Sequence, residues 1–146
     1  MVPRVSKPIE HERCRIYPFE ETYTWAGIAK ETYSAPGAKS GAWCGVSRQM
    51  LFGGRGENGG FEVRYFEILP GGNSQFESHE HEHSILVLRG KGQIRFDDRY
   101  YDLKPLDTIY VAPKQKHQFV NRDHKATFGF VCTVNKSRDL GIAVEG

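Results

Sequence analysis

Three histidines fall within five residues of the chain, in the segment FESHEHEHSILVLRG that runs from Phe76 to Gly90. His79, His81 and His83 are separated by glutamates, and alternate side chains of a β-strand point to the same face of a sheet. Neutral imidazole is a frequent ligand of divalent transition metals. The spacing therefore predicts a metal site on one face of a β-sheet.

The strands that would position these side chains begin at Val46. Short apolar or alternating runs separated by turn residues fill the rest of the chain, without a sustained helical period. The runs are SRQMLF, FEVRYFEILP, SILVLRG, QIRFDDRYYDL, DTIYVAP, HQFVN and ATFGFVCTV. The pattern predicts an all-β fold, with residues 45–146 forming a single antiparallel β-barrel or jelly roll.

Two connections carry turn signals. Asp97-Asp98-Arg99 predicts a hairpin turn between QIRF and YYDL. The glycine-rich stretch GGRGENGG, residues 53–60, predicts a flexible link between two strands. It lacks the Gly-Lys-Ser/Thr ending of a phosphate-binding loop, so we interpret it as a plain connection.

Residues 1–44 differ from the rest, because aromatic residues are scattered among prolines, glycines and charges without a regular period. We expect an irregular N-terminal arm with short strands that packs on the barrel or on a partner subunit. An antiparallel barrel with such an arm has strand edges that a second copy can cover, so a homodimer is predicted.

Length and charge limit the classes of function. A chain of 146 residues suits one domain, and its 20 basic and 18 acidic residues give a formal net charge of +2 without a basic run. Nucleic acids and membrane surfaces are therefore not expected as partners. We expect a small-molecule partner instead. Cys14, Cys44 and Cys132 are far apart and no apolar leader or membrane-length apolar stretch is visible, so a cytoplasmic location is predicted.

Two segments, PGGNSQFESHEHEHSILVLRG and LKPLDTIYVAPKQKHQFVN, resemble the conserved segments of the cupins, small antiparallel β-barrels that hold one metal ion. The first cupin segment reads glycine, a spacer, His-x-His, three or four residues, Glu or His, six residues, glycine. The second reads Pro-x-Gly-x-x-His-x-x-x-Asn. Here Pro113, His117 and Asn121 fall on the second pattern, and Gln115 stands where glycine is usual.

The resemblance implies a set of metal ligands. Counting back from Gly90, His83 takes the usual Glu position, His79 the second His position and Glu77 the first. With His117 from the second segment, three imidazoles and one carboxylate would hold one divalent ion. Such a set suits Mn²⁺ or Fe²⁺, which we expect first, and also Zn²⁺, Ni²⁺ or Co²⁺.

The role of His81 is left open by this pattern. It has the same parity as the predicted ligands, but it lies where cupins bend between two strands. His81 is therefore interpreted as a fourth imidazole ligand, as a residue that hydrogen-bonds to a ligand, or as a solvated side chain.

The combination of RQMLF, VRYFEILPGG, Glu-x-His-x-His-x-His, HQF and FGFVCTVNKSRD resembles a cupin subgroup that includes 1-methylthio-xylulose 5-phosphate sulfo-lyases. The resemblance implies a metal-dependent enzyme acting on a small polar substrate, most specifically a carbon–sulfur lyase of a methylthio-ketose phosphate. An Fe²⁺ dioxygenase, another metal-dependent cupin isomerase and a non-catalytic small-molecule-binding cupin are the alternatives.

Two residues are candidates for catalysis. In ATFGFVCTV, strict alternation places Cys132 on one face with Phe128 and Phe130, and two aromatics indicate the barrel interior. Under the lyase hypothesis the Cys132 thiolate attacks the methylthio sulfur, a thiol co-substrate clears the mixed disulfide, and Glu77 accepts a proton. The alternatives are a small buried apolar residue for Cys132 and a plain metal ligand for Glu77.

A phosphorylated substrate also needs a cation. Three arginines in predicted strands, Arg48, Arg64 and Arg89, are candidates for phosphate binding, since guanidinium matches phosphate geometry. Each has an alternative as a solvated strand residue.

Overall fold

The structure is a computed structural model that describes residues 6–145. These residues form fifteen β-strands and no helix, which confirms the predicted all-β class. None of them belongs to a helix long and apolar enough to cross a membrane. The chain divides into two compact units between Lys30 and Glu31, and the division into an arm of residues 1–44 and a barrel of residues 45–146 stays a prediction.

Two antiparallel hairpins make up the described part of the N-terminal unit. Their strands are β1 (Ile9–His11), β2 (Cys14–Ile16), β3 (Phe19–Glu20) and β4 (Thr24–Trp25), with β1 paired to β2 and β3 to β4. The Phe19 ring packs edge-on against Tyr23 and Trp25, at centroid distances of 5.6 and 5.4 Å. These aromatic contacts hold the second hairpin closed.

One curled antiparallel sheet, a half-barrel, forms the second unit. Its strands are β5 (Glu31–Thr32), β6 (Cys44–Phe52), β7 (Phe61–Asn73), β8 (Glu77–Ser78), β9 (His83–Arg89), β10 (Gly92–Phe96), β11 (Arg99–Leu103), β12 (Thr108–Val111), β13 (His117–Val120), β14 (Phe128–Asn135) and β15 (Ile142–Ala143). The main order is β11-β10-β13-β7-β14-β9-β12, with β6 on β7, β5 on β6, and β8 between β13 and β15. Each of the seven predicted runs forms a strand or a hairpin.

The predicted turns are present with small differences. The β10–β11 hairpin closes through Asp97-Asp98, and Asp97 adopts a left-handed conformation (φ 54°) that aspartate tolerates better than most residues. Residues 53–60 connect β6 to β7. The Glu57 carboxylate accepts hydrogen bonds from the backbone N–H of Gly53 and Arg55 at 3.0 and 2.7 Å, which orders this link.

The core lies on one face of the curled sheet. Phe130 stacks on Phe119 and Phe66, with ring centroids 4.2 and 5.7 Å apart, and the apolar residues around them are almost fully buried. Because a shift of one residue would turn these rings outward, their packing fixes the register of β7, β13 and β14. In that register Cys132 pairs with Arg64 on one side and with Ile85 on the other.

A polar network occupies the opposite face of β7. Tyr65 is fully buried and donates to the Glu67 carboxylate at 2.9 Å, and Arg89 donates to the same oxygen at 2.6 Å. Burial, followed by the neighbouring Glu67 charge, raises the pKa of Tyr65 well above its ordinary value. The buried negative charge of Glu67 is therefore paired with the Arg89 guanidinium and the Tyr65 hydroxyl.

Removing the Tyr65 hydroxyl tests this network. We expect Tyr65→Phe to lower the free energy of unfolding by about 1.5–3 kcal/mol, because a buried carboxylate loses one of its donors. Urea denaturation measures the change. The control Tyr101→Phe alters a half-exposed ring and should change stability by less than about 0.5 kcal/mol. Equal stability of the two variants would contradict the assignment.

Candidate metal centre

Three buried histidines converge at one end of the curled sheet. His79 lies in the β8–β9 loop, His83 opens β9 and His117 opens β13, and their exposed fractions are 4%, 7% and 2%. One ring nitrogen from each lies within 4.8 Å of the others, and His79 Nε2 and His83 Nε2 are 2.8 Å apart. The group could hold a metal ion.

Hydrogen bonds at Nδ1 fix how two of these rings face the centre. His79 Nδ1 is 2.6 Å from the backbone oxygen of His81, and His117 Nδ1 is 2.7 Å from that of Gln115. A carbonyl oxygen only accepts, so each Nδ1 carries the proton and each Nε2 lone pair is available to a cation. The donor set therefore fits a first-row divalent ion.

The charge state of the rings also fits metal binding. Burial is the main cause that lowers the pKa of all three histidines, to about 4 for His79 and well below the ordinary value for His83. The neighbouring imidazoles lower the pKa further, because two like charges at this distance repel. All three rings are therefore neutral at pH 7, which is the form that coordinates a metal.

Glu77 lies beside the three-histidine group. It opens β8, pairs with His117 in register, and places Oε1 4.0 Å from His79 Nε2. Gln75 donates to the other carboxylate oxygen at 3.1 Å, and burial raises the pKa of Glu77 to about 7. The carboxyl group is thus next to the centre, while its role as the fourth ligand stays a prediction.

Cys132 faces the interior and contacts a predicted ligand. Its side chain is 2% exposed, and Sγ lies 3.0 Å from His83 Nδ1 and 3.4 Å from Arg64 Nη2. Burial raises the pKa of the Cys132 thiol, and the adjacent Arg64 guanidinium opposes that shift. The only buried thiol of the described residues thus touches one imidazole of the three-histidine group.

A cavity of about 420 Å³ opens over these groups, a size that suits a small molecule. Its walls include the three histidines, Glu77, Cys132, an aromatic set and three arginines. The aromatic set is Phe66, Phe119 and Phe130, and the arginines are Arg48, Arg64 and Arg138.

Comparison with known proteins agrees with this arrangement. The Cupin_2 family, described as the cupin domain, matches residues 64–134. The 1-methylthio-D-xylulose 5-phosphate methylsulfurylase of Rhodospirillum rubrum is 37% identical over 122 residues, which cover 84% of this chain and 75% of that protein. The chain belongs to the cupins.

Two solved cupins share the fold at similar identity. A cupin-2 domain from Rhodospirillum rubrum is 32% identical with a TM-score of 0.74, covering 89% of this chain and 84% of its own. A cupin 2 conserved barrel domain protein from Rhodopseudomonas palustris is 30% identical with a TM-score of 0.78, covering 90% and 87%. The cupin resemblance seen in the sequence is confirmed.

In this cupin His81 stacks on a predicted ligand. The His81 and His79 rings are parallel within 6°, with centroids 3.6 Å apart. The Asp139 carboxylate accepts hydrogen bonds from the backbone N–H of Glu80 and His81 at 2.9 and 3.1 Å and lies 2.9 Å from His81 Nδ1. His81 is therefore held between Asp139 and His79.

The residues that support this loop come from the C-terminal segment. Strand β15 pairs Ala143 with Glu77, and the Val144 N–H donates to the Phe76 backbone oxygen at 2.8 Å. Gly141 lies so close that a Cβ there would be 2.2 Å from a Glu77 carboxylate oxygen. Sequence reasoning missed Asp139, because no motif marks a residue almost sixty positions beyond its partner.

The arginine candidates separate into different environments. Arg48 and Arg64 line the cavity, and so does Arg138, which sequence reasoning missed. Arg89 is not among the lining residues and instead pairs with Glu67 on the opposite face of the sheet. Strand alternation alone could not assign these faces, because arginine is common on both.

The contact between Asp139 and the histidine loop predicts an effect on metal binding. We expect Asp139→Ala to weaken metal affinity about 10- to 100-fold, because the loop that presents His79 loses its carboxylate support. Competition with a chelator measures the affinity, and circular dichroism checks the fold. The exposed Glu145→Ala is the control, and wild-type affinity in both variants would exclude the supporting role.

Proposed function

We propose that this cupin is a metal-dependent enzyme that cleaves the carbon–sulfur bond of a methylthio-ketose phosphate. The observation that carries the proposal is the buried Cys132 thiol, 3.0 Å from His83, in a cavity that also holds the histidine group. The Rhodospirillum rubrum relative named as a methylsulfurylase supports the same class of reaction.

His79, His83 and His117 would hold the metal, with Glu77 as the fourth ligand. Nitrogen with one carboxylate oxygen suits Mn²⁺ or Fe²⁺, and Zn²⁺, Ni²⁺ and Co²⁺ are alternatives. A divalent ion bound there supplies Lewis-acid polarisation of a substrate carbonyl.

Cys132 is the proposed nucleophile. Its thiolate attacks the methylthio sulfur, so that a sulfur–sulfur bond forms and the bond from sulfur to the substrate carbon breaks. The carbon leaves with the electron pair as an enolate and takes up one proton, which gives a methyl ketone. A thiol co-substrate then attacks the Cys132 methyl disulfide, takes the methylthio group as its own mixed disulfide, and restores the Cys132 thiol.

Two groups near Cys132 assist this step. Glu77 is a half-buried carboxyl of the cavity wall, and once it swings off the metal we assign it the movement of the proton at the substrate carbon. The Arg64 guanidinium, 3.4 Å from Sγ, places a fixed positive charge beside the attacking sulfur. The aromatic wall of Phe66, Phe119 and Phe130 limits water around the reacting groups.

An Fe²⁺ dioxygenase is the second candidate, favoured by the same combination of three imidazoles and one carboxylate. Such an enzyme would consume oxygen and would not need Cys132. The homodimer, the cytoplasmic location and the arm that packs on the barrel or on a partner subunit stay predictions.

Metal analysis tests the ligand assignment. We expect about one first-row transition ion per chain in protein purified without a histidine tag, and loss of most of it in His79→Ala, His83→Ala and His117→Ala. The exposed His124→Ala should keep the metal and serves as the control. Retention of the metal after loss of both His83 and His117 would contradict the site.

Product analysis tests the reaction. With 1-methylthio-xylulose 5-phosphate and a thiol under anaerobic conditions, we expect the 1-deoxy ketose phosphate and a methyl disulfide of the thiol. Cys132→Ser should lower the rate at least about 1000-fold, as loss of a nucleophile does, whereas the exposed Cys44→Ser should not. Full activity of Cys132→Ser would contradict the proposed nucleophile, and turnover that requires oxygen would favour the dioxygenase.

A further inference from the structure

Arg64 is a buried cation with no carboxylate within ion-pair distance among residues 6–145, although its charge acts on Glu77 over a longer distance and opposes the rise of the Glu77 pKa. Arg64 is 5% exposed, and its Nε–H group has no hydrogen-bond acceptor. Its described contacts are the Cys132 sulfur at 3.4 Å from Nη2 and the Phe66 ring, whose centroid is 4.9 Å from Cζ. Neither group cancels a positive charge at full strength.

A buried guanidinium in this state is costly. Charged groups removed from water are normally paired and hydrogen-bonded, because the lost hydration is otherwise not replaced. Strand β7 points Arg64 to the interior face, in register with Cys132 and two residues from Phe66. Arg64 therefore lines the cavity, and its Nε–H group has no hydrogen-bond acceptor.

The other arginines of the cavity wall are already paired. Arg48 lies 3.7 Å from the Glu31 carboxylate, and Arg138 is hydrogen-bonded to Glu62. Arg64 differs from both, since no described carboxylate lies within ion-pair distance of it. Its charge is therefore available to an anion that enters from outside.

Asp139 and Glu77, which line the same cavity, have other hydrogen-bond partners. Asp139 accepts hydrogen bonds from the histidine loop. Glu77 accepts one from Gln75 and, in the proposed function, faces the metal. Neither carboxylate completes the hydrogen bonds of the Arg64 guanidinium.

We propose that Arg64 anchors the anionic group of the substrate, a phosphate monoester, at a subsite next to the metal centre. The assignment rests on the proposed function and specifies which of the cavity arginines recognises the substrate's charge. A guanidinium presents its N–H groups as a rigid fork that matches two phosphate oxygens, and the free Nε–H supplies one arm. The 420 Å³ cavity has room for a five-carbon chain between this anchor and the histidines.

Binding without turnover tests the subsite. Calorimetric titrations of the metal-loaded protein would compare xylulose 5-phosphate, xylulose and inorganic phosphate, none of which carries a methylthio group to cleave. We expect the wild type to bind the sugar phosphate about 10- to 100-fold more tightly than xylulose, and Arg64→Met to lose that preference. Arg89→Met, a strand arginine on the opposite face, should keep it.

If Arg64 binds phosphate through two N–H groups, replacing it with lysine should weaken phosphate binding. Arg64→Lys keeps the charge but not the fork, and we expect it to bind xylulose 5-phosphate about 10-fold more weakly with unchanged binding of xylulose. Metal content and circular dichroism should match the wild type in each variant. If Arg64→Met does not fold, the lysine variant decides the question by the same comparison.

The outcomes separate this subsite from the reaction. Wild-type preference for xylulose 5-phosphate in Arg64→Met and Arg64→Lys would overturn the anchor even if the protein cleaves carbon–sulfur bonds. Slower turnover in these variants with unchanged phosphate binding would assign Arg64 to Cys132 alone and would also overturn it. A preference that depends on Arg64 in a protein without lyase activity would support the anion subsite and reject the reaction.

Discussion

The burial of three neutral imidazoles is the constraint on which the rest of the site depends. A ring with two nitrogens needs a partner at each of them once water is excluded. The backbone oxygens of His81 and Gln115 satisfy Nδ1 of His79 and His117, and Cys132 meets Nδ1 of His83. The Nε2 atoms can interact only with one another or with a cation. The surrounding loops must therefore hold the three rings together.

That organisation reaches parts of the chain that carry no ligand. The β8–β9 loop has little regular structure, so its position depends on β15 and on the Asp139 carboxylate. Gly141 has no side chain where one would collide with Glu77. The candidate metal site of this cupin thus depends on three segments, of which the two cupin-like segments provide the predicted ligands and the C-terminal segment provides the support.

Much of the fold could be predicted from the sequence because strand alternation is local. It located the strands and predicted the inward direction of Cys132, whereas His117 was predicted as a ligand through the resemblance to the cupin segments. The predicted run ended at Pro70, whereas β7 continues to Asn73 past Gly71, which has a positive φ of 78°. The partners of Asp139 and Arg89 depend on which distant strands pair, and alternation alone carries no information on that pairing.

In the proposed function Cys132 has two roles that make different demands on its position. As the neighbour of His83 Nδ1 it would orient a predicted ligand, and this contact is best when the sulfur stays in place. As a nucleophile it must turn toward a substrate sulfur, which weakens the same contact. Arg64 also touches the sulfur and can keep it in position while the His83 contact changes. Attack by Cys132 and the orientation of His83 are therefore coupled through one sulfur atom, which ties the nucleophile to the metal centre.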